Sequence, residues 1–87
     1  MISYQQFTLS NGLQVIVHED HTSTLAVMDV IYDVGSRDED PNRTGFAHLF
    51  EHLMFGGSKN ISNYDSPLQQ VGGENNAFTT PDLTNYY

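Results

Sequence analysis

The chain has 87 residues, enough for one small domain and too few for two. Hydrophobic residues are 38% of it and aromatics 11%, the composition of a globular protein, which excludes disorder as the default. Three Lys or Arg stand against eleven Asp or Glu, a formal net charge of −8, and the cations Arg37, Arg43 and Lys59 are too scattered to form the basic patch that phosphate binding needs, which excludes nucleic acid as a partner.

Residues 1–6 have neither the basic region nor the apolar stretch of a signal peptide. No segment approaches the ~18 consecutive apolar residues of a membrane span. The compartment is left open, with cytoplasm and periplasm both compatible. Tyr4 to Ser10 and Leu13 to His18 are β-prone runs joined by Asn11-Gly12, which predicts an antiparallel hairpin closed by a type I′ turn. Phe7, Leu9, Leu13, Val15 and Val17 alternate as one half-buried face. Leu25 to Tyr32 is nearly continuously apolar and reads as a central strand ending by Gly35.

The acidic stretch Asp38 to Pro41 reads as a loop entering a helix, with Asp40 or Thr44 as N-cap and Gly56-Gly57 as its stop. On a 100° wheel Phe46, Leu49, Phe50, Leu53 and Met54 share one face, the stripe of a core-packed helix. His48, Glu51 and His52 fall on the other side, which the core does not need. Ser66 to Val71 predicts a short helix closed by Gly72-Gly73, followed by strands over Asn75 to Thr80 and from Leu83 onward. The last residues read as a strand cut off while running, so the C-terminal boundary is expected to be artificial.

The chemistry lies in His48-Leu49-Phe50-Glu51-His52. Residues four apart on a helix share a face, so His48 and His52 can aim imidazole nitrogens at one point. Glu51 projects to the same side, within reach of a metal-bound water. Zinc lowers the pKa of such a water to about 7, and a carboxylate nearby can take its proton and return it to a leaving amine. The chain lacks cysteine, so thiolate ligands and thiol nucleophiles are excluded. A catalytic zinc needs a third protein ligand. Glu74, Asp82, His18 and His21 are the candidates by residue type, but spacing ties none of them to the helix. Read without a metal, the same residues are a solvated histidine pair beside a helical glutamate.

Beyond the pentapeptide, the stretches Val34 to Glu39, Thr44 to Ser58, Gly72 to Thr80 and Thr84 to Tyr87 resemble the pitrilysin family of inverzincin metallopeptidases, peptidase family M16. The resemblance covers nearly the whole chain. It implies an α+β fold in which an antiparallel sheet packs against helices, with residues 1–87 as the N-terminal portion of one catalytic domain, a pitrilysin-like α/β sandwich. It implies one Zn2+ per complete site, with His48 and His52 as ligands and Glu51 as general base. In the family the third ligand is a glutamate on a later helix, and no residue of this chain matches it, so the chain alone is expected to be inactive. The match also implies a peptide or unfolded polypeptide substrate, added as a strand beside Asn76, Ala77 and Phe78, and as a further partner the rest of the chain or a homologous M16 domain. Exposed strand edges add an expectation of self-association. The alternative within the same family is a non-catalytic partner subunit or peptide-binding module. Such relatives typically lose letters of the motif, which is intact here.

Overall fold

Asn11-Gly12 turns the chain as expected, but through a different turn. The structure is a computed structural model that describes residues 2–87. Strand β1 (Gln5–Thr8) pairs antiparallel with β2 (Gln14–Val17), Phe7 opposite Val15. The Gly12 N–H donates to the Leu9 carbonyl at 2.9 Å, and the Leu13 N–H donates to Asn11 Oδ1 at 3.0 Å. Among these turn residues only Gly12 has a positive φ, 90°. A type I′ turn needs positive φ at both central residues, so this is the three-residue connection that ends on a left-handed glycine. Asn11 keeps a negative φ because its side chain finds its partner there.

The second sheet contains β3 (Val30–Tyr32), β4 (Ala77–Thr79) and β5 (Thr84–Tyr86), in the order β3-β5-β4 and antiparallel throughout. The expected central strand over Leu25 to Tyr32 is thus corrected twice. Only its last three residues are strand, and they lie at an edge; β5 holds the centre. Leu25 and Val27 are 84% and 90% exposed. No strand among the described residues pairs with Leu25 to Asp29, and β-prone residues without a partner strand gain no ladder hydrogen bonds.

Helix α1 (Phe46–Met54) ends before Gly56-Gly57 as read from sequence, and α2 (Asp65–Gln70) is closed by Gly72 and Gly73. The Gly72 and Gly73 N–H groups donate to the carbonyls of Gln69 and Leu68, at 3.1 and 2.7 Å. This pair of bonds is a Schellman closure.

The orientation of α1 is the main departure from the sequence reading. Its stripe of Phe46, Leu49, Phe50, Leu53 and Met54 is 45–58% exposed, whereas Ala47, Glu51 and Phe55 are the less accessible positions. These three are spaced i, i+4, i+8, and α1 meets β4 along that side. The helix therefore turns its glutamate to the sheet and leaves its apolar stripe half exposed. No hydrophobic side chain among the described residues is fully buried. The Cα radius of gyration is 15.7 Å, against roughly 12 Å for a compact domain of this length.

The loop before α1 is clamped to the turn between β4 and β5. Ser36 and Arg37 donate their N–H groups to the carbonyls of Thr80 and Pro81 at 3.3 and 2.9 Å, and Arg37 Nη1 pairs with Asp82 Oδ1 at 2.8 Å. Gly35 permits this approach, because a Cβ there would lie 2.2 Å from the Thr80 carbonyl oxygen and 2.5 Å from Pro81 backbone atoms. Gly35→Ala is expected to cost about 1–3 kcal/mol, the range for overpacking, seen as a lowered Tm in thermal unfolding; an unchanged Tm would contradict the clamp.

Candidate metal and catalytic site

The site begins with how α1 starts. Its N-cap is Gly45, at φ 88°, which has no side chain with which to cap. Neither Asp40 nor Thr44, the caps expected from sequence, takes that role. Asp40 is used in its own turn, accepting from the Asn42 N–H through Oδ1 at 2.9 Å and from the Arg43 N–H through its carbonyl at 2.8 Å. Glu39 caps instead: Gly45 N–H donates to its Oε2 at 2.5 Å and Ala47 N–H to its Oε1 at 3.0 Å. A carboxylate bridging two free N–H groups also suits the positive end of the helix dipole. Sequence spacing missed Glu39, because a cap six residues before the N-cap depends on how the loop folds back.

One turn further, His48 and His52 stand side by side. Their rings stack at 20° with centroids 4.7 Å apart, and their Nε2 atoms converge to 2.8 Å. One of those nitrogens donates and the other accepts. A pair of imidazole nitrogens aimed at a common point suits zinc by donor type and direction. Two nitrogens about 2.0–2.1 Å from a tetrahedral zinc stand roughly 3.3 Å apart, a small rotation of the exposed rings from the observed separation.

Glu51 lies on the sheet side of the same helix, where Thr79 Oγ1 of β4 donates a hydrogen bond to its Oε2. Thr79 was absent from the candidates read from sequence. The alternation of a strand puts Thr79 on the same side as Ala77, but nothing local ties it to a glutamate 28 residues earlier. Tyr86, opposite Ala77 across β5, is also close to this carboxylate. Burial, then the negative charge of Glu51 and the neighbouring Tyr32, raises the Tyr86 phenol above its ordinary range.

The three residues expected beside substrate, Asn76, Ala77 and Phe78, differ in which way their backbone groups face. Asn76 exchanges both backbone hydrogen bonds with Tyr87, at 2.6 and 2.9 Å. In an antiparallel ladder such pairs alternate, so Phe78, opposite Asn85, turns its backbone groups toward β5 as well. Ala77 and Thr79 turn theirs to the other side, the free edge of the sheet. Asn76 Oδ1 already accepts the Ala77 N–H at 2.8 Å. The Ala77 carbonyl and both backbone groups of Thr79 remain on that edge.

Among the described residues no group of three His, Cys, Asp or Glu side chains converges. His18 Nδ1 donates to the Ser3 carbonyl at 2.6 Å, His21 pairs with Glu19 at 3.5 Å and Asp82 pairs with Arg37. Glu74 lines an open cavity of about 610 Å³ walled by Leu25, Met54, Leu68 and Tyr86, which neither His48 nor His52 lines.

The environment of Tyr86 carries a pH dependence. A folded-state pKa raised above the unfolded value gives stability that is fully present below the unfolded phenol's pKa, near 10, and is lost as pH rises through the folded value. Thermal melts between pH 9 and 11.5 are expected to show a falling Tm, with Tyr86→Phe flattening the slope; equal slopes in both proteins would contradict this.

Residues 14–87 match the family described as Insulinase (Peptidase family M16). The zinc protease PqqE of Helicobacter pylori is 39% identical over 87 residues, covering 97% of this chain and 20% of that protein. Human insulin-degrading enzyme is 33% identical over 87 residues, covering 97% of this chain and 8% of that protein. The crystal structure of a protease from Helicobacter pylori superposes with a TM-score of 0.84 at 37% identity, covering 98% of this chain and 21% of that one. The chain therefore spans between 8% and 21% of the length of these relatives. No helix among the described residues is long and apolar enough to cross a membrane. With an α+β fold shared at that TM-score and a family match running from Gln14 to Tyr87, the chain belongs to peptidase family M16, the insulinase family.

Proposed function

We propose that these residues supply two zinc ligands and the general base of a peptidase that hydrolyses peptides or unfolded polypeptide segments. The observation that carries this reading is the convergence of His48 and His52 Nε2 to 2.8 Å, with Glu51 on the adjoining side of the same helix and held there by β4. His48 and His52 would hold the metal through Nε2, with a third ligand required from outside the described residues. Zinc, when bound, polarises a carbonyl and acidifies water. Glu51 holds and moves the proton. Thr79 engages Oε2, so Oε1 is the oxygen that accepts a proton from water and passes it to the leaving amine.

The free edge of β4 binds the substrate backbone. An extended peptide added there pairs with the Ala77 carbonyl and with the N–H and C=O of Thr79, the mode by which an unpaired strand recognises peptides. Asn76 sets which groups remain available, since its side chain takes the Ala77 N–H. Phe78, 42% exposed on the opposite face of the sheet, stands beside the same edge, where its ring can meet a substrate side chain. The open stripe on α1 is where further parts of the protein, or a homologous domain, pack.

The whole protein is expected to cleave a quenched fluorescent peptide, with activity abolished by a chelator and restored by zinc. Glu51→Gln is expected to lower kcat by about 10²–10⁴-fold, the contribution of a positioned acid–base group, while zinc content stays stoichiometric. His48→Ala is expected to lose the metal. The 87-residue chain alone, with two ligands, is expected to bind zinc weakly and cleave nothing. Chelator-resistant cleavage would exclude the metallopeptidase reading, and a bound but uncleaved peptide with zinc present would favour a binding subunit.

A further inference from the structure

We infer that Thr79 is a positioning residue for Glu51: its hydroxyl holds one carboxylate oxygen so that the other faces the reacting water. The inference rests on the general-base reading of Glu51 and adds to it a residue on a different element. Helix α1 reaches the sheet through Ala47, Glu51 and Phe55, and at its middle the Thr79 hydroxyl donates to Glu51 Oε2. A glutamate side chain has three rotatable bonds, and two histidines beside it do nothing to restrict them. A hydrogen bond from a fixed donor does.

Thr79 is a fixed donor for three reasons. Its side chain is β-branched and stiff at χ1. Its strand is paired, with Thr79 directly opposite Thr84. Thr84 is itself buried, at 4% exposure, and its Oγ1 donates to the Val34 carbonyl at 2.9 Å. Thr79 thus sits directly beside the buried residue of the central strand β5, which steadies the end of β4 that carries the donor. The same residue also presents its backbone N–H and C=O to the free edge of β4. A peptide seated on that edge would be registered against the very residue that holds the base, which sets base and scissile bond in one frame.

The test uses the whole zinc-loaded protein and compares Thr79→Val, Thr79→Ser and Glu51→Gln. Thr79→Val keeps the shape and removes the hydroxyl. It is expected to lower kcat about 10- to 100-fold, as loss of a supporting hydrogen bond to a site residue does, with KM within about twofold and zinc content unchanged. Thr79→Ser, which restores the donor, is expected to recover kcat to within a few-fold. A crystal structure of zinc-loaded Thr79→Val is expected to show the Glu51 carboxylate in more than one rotamer. Wild-type kcat in Thr79→Val beside an inactive Glu51→Gln would overturn the role of Thr79 alone, as would Thr79→Ser no better than Thr79→Val. Full activity in Glu51→Gln would overturn the base assignment and this inference with it.

Discussion

The second sheet exists because β5 pairs on both sides. Thr84, Asn85 and Tyr86 each have a partner in β3 and a partner in β4, so three residues near the end of the chain hold together segments that begin at Val30 and Ala77. The sheet side of the site follows from that pairing. It lifts β4 against α1, brings Thr79 to Glu51, buries Thr84 and sets Tyr86 between Tyr32 and Phe55, at ring separations of 5.8 and 6.3 Å. The clamp of Ser36 and Arg37 on Thr80 and Pro81 then fastens the loop that precedes the helix to the turn that precedes β5. The helix is thereby joined to the sheet at the carboxylate, and the loop before it at the β4–β5 turn.

Such an arrangement places polar chemistry where a small protein would ordinarily place its core. The side of α1 that meets the sheet carries Ala47, Glu51 and Phe55, and the stripe that a lone domain would bury is open. Burial of apolar area contributes about 25 cal/mol per Å², so leaving five large side chains half exposed forgoes a substantial part of what stabilises an amphipathic helix. Hydrogen bonds hold α1 in place here: Glu39 at its N-terminus, Thr79 at its middle.

In the function proposed for the pentapeptide, two ligands and a base, the division of labour has a physical basis. His48 and His52 are exposed, free to rotate by the fraction of an ångström that separates their present convergence from a metal-bound geometry. Glu51, one position before His52, is more shielded and tethered to the sheet. Ligands can adjust to an ion that then holds them; a proton acceptor has no such anchor and must be placed beforehand. One helix can serve both proposed tasks because its 100° step sets His48 and His52 on one face and Glu51 on the adjoining one.

Much of this was legible in the residues themselves. The hairpin, both helix stops, the two glycines that close α2 and the shared direction of His48 and His52 depend on interactions within a few positions, which spacing encodes. The family, too, is carried by motifs distributed over the whole length. What spacing cannot encode is which face finds a partner. The wheel of α1 gave two faces correctly but assigned the apolar one to the core, and the continuous run from Leu25 to Tyr32 suggested a centre where an edge lies. Glu39 as cap and Thr79 as holder of Glu51 were invisible for the same reason. Each acts across a loop or between elements, and only the pairing of β5 with β3 and β4 decides that those atoms meet.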